Sequence, residues 1–470
     1  MRYMAYVSEG FRDKCAVIGV SGHGEAAKYC YLGLYALQHR GQEGAGIVAS
    51  HGGRFSVHRG TGLVADVFDE ARLSKLLGSF AVGHTRYATF GGKDWQNLQP
   101  LVASSSRESV AVAHNGNLVN ARELRLQLED NGAIFSTTSD TEVILHLLAH
   151  VDRNKSFSER LALALRQVKG AYSLAILVGD DLYAVRDPHG VRPLVLGSMS
   201  SGYVVASETC AFDLIGATFV RDIEPGEIVK ITPEGKLESS RFAAPDRAFC
   251  IFEYIYFARP DSNLEGRNVY LVRKNLGAEL ARESPAQADV VIPVPDSGVP
   301  AAMGYAEELG VPLEFGLIRN HYVGRTFIEP QQSIRDFGVK VKLNANTALL
   351  AGKRVVVVDD SIVRGTTSKK IVSMLRQAGA KEVHMRISSP PTTGPCHYGI
   401  DTPSRAELIA SRNSVEEIAK YVGADSLSYL SIEGMYRAVG KNATSRHFCD
   451  ACFSANYRLG EPAQESTKML

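Results

Sequence analysis

The chain has 470 residues, 45% of them apolar and 22% charged. These are the values of an ordinary globular protein with room for two or three domains, and they exclude a disordered or fibrous chain. Its 52 basic and 51 acidic side chains leave a net charge of +1, so no global field exists to hold a nucleic-acid backbone. Apolar runs such as 355–358 fall far short of the roughly 20 residues that a membrane span needs.

The first fourteen residues, MRYMAYVSEGFRDK, lack the apolar stretch of a signal peptide, which points to a cytoplasmic setting. There the seven cysteines, at 15, 30, 210, 250, 396, 449 and 452, read as nucleophile, metal ligands and core residues rather than as a disulfide framework. Cys15 opens the first apolar strand, CAVIGV, behind a polar stretch that can be removed without loss to the core. In a chain beginning at Cys15, the free α-amine, with a pKa of about 7.7 to 8, can take the thiol's proton and activate it without a histidine. Taken alone, a cysteine before a strand is more often a buried core residue.

Short β-type segments follow, separated by glycine turns: GAGIVAS, SFAVGHTRYAT, VAVAHNGNLVN, AYSLAILVGDDLYAVRD and GYVVASE. Apolar spacing predicts helices over 120–131 and 140–150. In HNGN, Asn115 offers a side-chain amide and Gly116 an unhindered backbone N–H, the donors that a tetrahedral oxyanion requires. A plain Asn-Gly hairpin turn is an equal alternative. This half reads as layered sheets with helices outside.

Cys15, LQHRGQEGAGI (37–47), GHTRYAT (83–89), HNGNLVN (114–120) and SDTE (139–142) occur together and in this order. The set resembles the glutaminase domain of the N-terminal-nucleophile amidotransferases, an αββα sandwich. The resemblance implies Cys15 as the nucleophile that forms a thioester with glutamine, Asn115 and Gly116 as the oxyanion hole, and Arg86 and Asp140 as the clamp on glutamine's α-carboxylate and α-amine. A guanidinium suits a carboxylate and an aspartate an ammonium; outside such a motif each would read as a surface salt-bridge residue. Arg40, Gly41 and Thr89 are further candidates for the same pocket, with turn structure as their alternative role.

A polar stretch, AAPDRA, marks a boundary near 245, giving domains over 15–245 and 246–470. Beyond it strands alternate with helices, the pattern of βαβ units around a parallel sheet. RVVVVDDSIVRGTTSKK (354–370) sends a buried strand to a sheet edge and opens a helix with Gly365, Thr366, Thr367 and Ser368, a phosphate cradle of backbone N–H groups and hydroxyls without a Walker lysine. Asp359 and Asp360 suit ribose hydroxyls and a hydrated magnesium ion better than helix capping alone. The run is similar to the phosphoribosyltransferase signature, which implies a type I phosphoribosyltransferase sheet. PVPDSG (293–298) resembles the pyrophosphate-side loop of that fold and places Ser297 at a magnesium-site position, its alternative being a Pro-Asp turn. The basic segment 319–344 resembles the loop that closes over substrate, with Arg325, Lys340 and Lys342 facing diphosphate charge, although a solvated basic loop fits as well.

With EYIYFARPDS (253–262) at the junction, the whole of 15–453 resembles the amidophosphoribosyltransferase family, in its subgroup with an N-terminal propeptide (1–14) and an iron–sulfur cluster. The resemblance implies that ammonia from glutamine displaces pyrophosphate from phosphoribosyl pyrophosphate, giving 5-phosphoribosylamine at the opening of purine synthesis. It further implies inhibition by purine nucleotides, a homotetramer, Mg2+, and a 4Fe-4S cluster on Cys250, Cys396, Cys449 and Cys452. Four thiolates also suit a structural zinc ion. Removal of the propeptide by the Cys15 thiol itself is an expectation drawn from the Lys14-Cys15 junction. Two rivals fit less well: an amidotransferase with sugar-isomerase domains lacks VVVVDDSIVRGTTS, and a DNA-binding regulator that senses ligand needs no glutaminase half.

Overall fold

A computed structural model describes residues 15–87, 95–106, 108–320, 343–440 and 446–462. The propeptide, Thr89, Arg325, Lys340 and Lys342 lie outside the described residues.

The first half builds two antiparallel sheets. Seven strands form one: β1 (Ala16–Ser21), β2 (Gly44–His51), β3 (Arg54–Thr61), β4 (Phe80–Arg86), β9 (Val195–Met199), β10 (Gly202–Ala206) and β11 (Thr218–Asp222), in the order β11-β9-β10-β1-β4-β2-β3. Six form the other: β5 (Leu101–Ser104), β6 (Ser109–Leu118), β7 (Gly170–Val178), β8 (Asp181–Arg186), β12 (Glu227–Ile231) and β13 (Leu237–Arg241), in the order β13-β12-β8-β7-β6-β5.

Side chains alternate across each strand, so Val17, Phe80 and Val82 of one sheet meet Ala111, Ala113, Ala175 and Leu177 of the other in a closed inner layer. The opposite faces are covered by helices. Ile18 and Val20 pack under the helices Ala26–Ala36 and Cys210–Ile215. Val110, Val112, Leu174 and Ile176 pack under Ala121–Asp130, Thr141–His150 and Phe157–Leu165. The result is the αββα sandwich. Both helices expected from periodicity form, at 121–130 and 141–150.

The second half carries a parallel four-stranded sheet in the order Val290–Pro293, Arg354–Asp359, Glu382–Ile387, Ser426–Tyr429. Its central Val355–Val358 run is fully buried, as a strand covered on both faces requires. On one side the helices Val269–Glu283 and Val299–Leu309 pack backbone to backbone. A methyl at Gly277 would lie 1.8 Å from the Ala301 carbonyl oxygen, and one at Gly304 1.8 Å from that of Lys274.

Between the halves, Asp246 N–H donates to Pro188 O (2.9 Å), Ala248 N–H to His189 O (2.7 Å) and Cys250 N–H to Val191 O (3.1 Å). Phe249–Cys250 then pairs in parallel with Phe448–Cys449 near the chain's end. One apolar cluster runs from Ile18 through Phe252 and Tyr254 to Val291, so the two halves share a core.

Candidate active sites

The register of the sandwich gathers the first site. Ala16 pairs with Thr85 and Val17 with His84, so Cys15 falls opposite Arg86 at one end of the β1–β4 pair. Cys15 Sγ lies 3.9 Å from the Tyr87 carbonyl oxygen. Across the inner layer, His84 Nε2 meets His114 O at 3.1 Å, which brings the next residues of β6, Asn115 and Gly116, to the same end. Asp140, just before the helix Thr141–His150, reaches back to this strand: its Oδ2 accepts the Leu118 N–H at 3.0 Å and its Oδ1 lies 3.7 Å from His114 Nδ1. Cys15, Arg86, Asn115, Gly116 and Asp140 therefore converge from four separate segments.

HNGN is not a hairpin turn. Strand β6 continues through it to Leu118, with Asn115 opposite Ser173 and Gly116 opposite Tyr172. Glycine is required at 116: its φ is +152°, and a methyl there would lie 2.0 Å from Ala171 O. Asn115 is wholly buried, yet neither its Nδ2 nor its Oδ1 has a hydrogen-bond partner among the described residues. A buried amide left so costs on the order of 1–3 kcal/mol, and it calls for a reason, such as a catalytic role or a bound water or ligand.

Burial opposes ionisation of Asp140, but His114 and the amides of Leu118 and Thr141 outweigh it and hold the carboxyl below its ordinary range. It stays an anion, as a partner for an ammonium must. His84 is the histidine on the strand beside β1, and burial with Arg86 nearby pushes it down to about 3. It is neutral and unsuited to take a thiol proton at neutral pH.

The guanidinium of Arg40 is ion-paired with Glu208 and with Glu253, and only 2% of it is exposed. Its charge is engaged by two buried carboxylates at the domain junction. Arg192 joins the same group through Glu253 at 3.1 Å. Gly41 serves by absence: a methyl there would lie 2.8 Å from Arg86 N, so the loop before β2 can lie against the end of β4.

The second site sits at the carboxyl edge of two neighbouring parallel strands, where Pro293 pairs with Val358. Asp359 and Asp360 end one strand, and PVPDSG follows the other. Ser297 Oγ donates to Asp360 Oδ1 at 2.5 Å, Ser361 Oγ to Asp360 Oδ2 at 2.6 Å, and Asp360 N–H to Asp359 Oδ1 at 2.9 Å. Burial and the neighbouring Asp360 charge push the Asp359 carboxyl well up, the behaviour of two crowded carboxylates. Gly365, at φ +77°, turns the chain into the helix Thr366–Gln377, which follows the strand Arg354–Asp359 in the chain.

The four cysteines of the junction are free thiols. Cys250 and Cys449 are paired residues on adjacent strands. Cys396 Sγ accepts the Tyr398 N–H at 3.3 Å, and Cys452 O accepts the N–H groups of Thr393 and Gly394 at 2.9 and 3.1 Å. Burial pushes the Cys250 thiol up to about 11, with Cys396 adding to the shift. Burial, then Cys250, Cys396 and Cys449, act likewise on Cys452. Cys250, Cys449 and Cys452 thus lie within electrostatic reach of one another and of Cys396, and a positively charged centre would relieve the cost of ionising those three thiols. Among the described residues, no three His, Cys, Asp or Glu are already drawn together to hold a metal ion.

Sequence reasoning missed Glu208, Glu253 and Arg192 as one ionic group, and missed the segment His397–Gly399, which lies against the oxyanion strand. Asn117 Nδ2 donates to His397 O at 2.8 Å, a pairing across 280 positions that no local spacing encodes.

Fold and sites together define a two-domain enzyme, a glutaminase of the N-terminal-nucleophile type joined to a phosphoribosyl transferase. Residues 84–213 match the family described as glutamine amidotransferase domain, and residues 264–388 the phosphoribosyl transferase domain. The chain is 52% identical over 453 residues to an amidophosphoribosyltransferase of Bacillus subtilis, covering 96% of this chain and 95% of the relative. It is 54% identical over 461 residues to a chloroplastic amidophosphoribosyltransferase of Glycine max, covering 98% and 80%.

Among solved structures, the glutamine phosphoribosylpyrophosphate amidotransferase from B. subtilis, complexed with ADP and GMP, superposes with a TM-score of 0.90 at 52% identity, over 94% of this chain and 97% of that one. A structure described as the allosteric regulatory enzyme of purine biosynthesis gives 0.91 at 52% identity, over 96% and 97%. The chain belongs to the amidophosphoribosyltransferase family, enzymes of the first step of purine biosynthesis that join glutamine hydrolysis to phosphoribosyl transfer.

Proposed function

We propose that this chain makes 5-phosphoribosylamine through Cys15 and the paired aspartates 359–360, and that loss of residues 1–14 switches the first half-reaction on. The observation that carries the reading is Asn115, a wholly buried amide in strand β6 that has no hydrogen-bond partner among the described residues and stands next to the N–H of Gly116.

With its α-amine free, Cys15 gives the thiol proton to that amine and attacks the carboxamide carbon of glutamine. The oxyanion accepts hydrogen bonds from Asn115 Nδ2 and Gly116 N–H. The proton passes to the leaving nitrogen, ammonia departs, and water hydrolyses the thioester to glutamate and free thiol. Arg86 and Asp140 hold the substrate's α-carboxylate and α-ammonium.

In the second half-reaction the nitrogen lone pair forms the bond to the anomeric carbon of phosphoribosyl pyrophosphate as the carbon–pyrophosphate bond breaks, and the nitrogen then loses a proton. Residues 365–368 receive the 5-phosphate at a helix N-terminus, and Asp359 and Asp360 accept from the ribose hydroxyls. Crowded carboxylates with Ser297 at their edge also fit Mg2+, which supplies charge neutralisation for the departing pyrophosphate.

The four junction cysteines are assigned to a 4Fe-4S cluster, a reading supported by the pairing of Cys250 with Cys449, the N–H···S contact of Cys396 and the Arg192 cation that interacts with Cys250 and Cys396. Iron and acid-labile sulfide in the purified protein are the expected finding, and zinc in their place would overturn it. The B. subtilis relative's complex with ADP and GMP supports purine nucleotides as inhibitors here; the homotetramer expected from the sequence resemblance is tested by sedimentation at several concentrations.

Asn115→Ala tests the site. It is expected to lower the kcat of glutamine-dependent synthesis by about 100-fold to 1,000-fold, as loss of one oxyanion donor does, while synthesis from ammonia persists. Unchanged glutamine turnover would remove Asn115 from the mechanism.

A further inference from the structure

The oxyanion strand of the glutaminase is backed by a segment of the other domain. Gly116 is hemmed by Ala171 on its own sheet, and on its other side lies Gly399. A methyl built on Gly399 would stand 2.9 Å from Gly116 Cα and 3.0 Å from its carbonyl carbon. The two glycines are in backbone contact across the domain boundary, and Gly399 takes φ +105° to make that approach.

The contact is held on both flanks. Next to Gly116, Asn117 Nδ2 donates to His397 O at 2.8 Å. Next to Gly399, the carbonyl of Tyr398 accepts from Arg192 Nε at 3.0 Å. The Tyr398 ring is wholly buried, and its hydroxyl donates to Gly460 O (3.0 Å) and accepts from Leu459 N–H (3.2 Å). A segment clamped this way acts as a fixed wall behind the residue whose N–H must aim at the oxyanion.

We propose that Gly399, with the Asn117–His397 hydrogen bond, is a positioning element of the glutaminase reaction: it fixes Gly116 so that its N–H and the Asn115 amide point at one place. None of these groups touches the reacting atoms. Their effect falls on the transition state, because the oxyanion exists only there, and not on the α-carboxylate and α-ammonium contacts that set glutamine affinity. The inference rests on the assignment of Asn115 and Gly116 as the oxyanion donors.

The test compares Gly399→Ala and Asn117→Asp with the parent in four measurements: glutamine kcat, glutamine KM, synthesis from ammonia, and alkylation of Cys15 by iodoacetamide. The alanine drives a methyl into Gly116, and the aspartate removes the donor to His397 O with little change of shape. Displacements well under an ångström suffice for roughly tenfold or larger effects on a positioned reaction. Both variants are expected to lose about tenfold or more in glutamine kcat, with KM, ammonia-dependent synthesis and the alkylation rate within about twofold of the parent.

Unchanged glutamine kcat in both variants overturns the proposal. So does a parallel fall of the glutamine and ammonia activities, which would show only a general structural role. Should Asn115→Ala keep full glutamine turnover, the underlying assignment fails; should it lose turnover while Gly399→Ala and Asn117→Asp do not, only the present inference fails.

Discussion

Arg40, Glu208, Glu253 and Arg192 are removed from water together at the domain junction, and each guanidinium is placed against a carboxylate. Such groups are retained at a desolvation cost, and removal of one partner leaves a buried charge uncompensated. Arg40→Met is therefore expected to cost about 3–5 kcal/mol at neutral pH, measured by urea denaturation. Burial opposes ionisation of Glu208, but Arg40 and His39 outweigh it and hold its carboxyl well below the ordinary range. A depressed folded-state value means that the contribution is complete above the unfolded value of about 4.3 and is lost as pH falls through the folded one. The Arg40→Met deficit should thus be full at neutral pH and narrow below about pH 4; a deficit under about 1 kcal/mol at pH 7 would contradict this. The residues of this group were not legible as a unit, because Arg40 meets its partners across 168 and 213 positions. Its place in a motif suggested a ligand, while the two buried carboxylates it pairs with lie far from that motif in sequence. Asn115 and Gly116, by contrast, are neighbours in one run, so an amide beside an unhindered N–H can be read from the sequence alone.

At the scale of elements, amphipathic spacing located the helices 121–130 and 141–150, and alternation located most strands of the sandwich. HNGN was ambiguous because Asn-Gly favours both a turn and a strand that must pass close to another backbone; the neighbour that decides between them is β7, which begins more than fifty residues later. The helices Val269–Glu283 and Val299–Leu309 depend on glycines in the same way. Gly304→Ala puts a methyl against Lys274 O, and overpacking of this kind costs about 1–3 kcal/mol. Thermal denaturation should show the loss, although alanine is the better helix former. An unchanged or raised midpoint would mean that the helices slide apart freely.

For the whole molecule, both domains were legible from motifs carried in single runs: a nucleophile at a strand start, a strand ending in two aspartates, and a helix opening on Gly-Thr-Thr-Ser. Their joining was not, because it rests on Cys250 beside Cys449, Arg192 on Tyr398, and Gly399 on Gly116. Those contacts make the glutaminase and the phosphoribosyl domain one body. The central claim is that Cys15 supplies the nitrogen and the second domain uses it. Pyrophosphate release from phosphoribosyl pyrophosphate with magnesium, measured on the trimmed protein and on a Cys15→Ala chain starting at the same residue, with glutamine or ammonium as donor, tests it most directly. Release is expected from both donors with the parent and from ammonium alone with Cys15→Ala. Glutamine-dependent release by Cys15→Ala, or none by the trimmed parent, would contradict it.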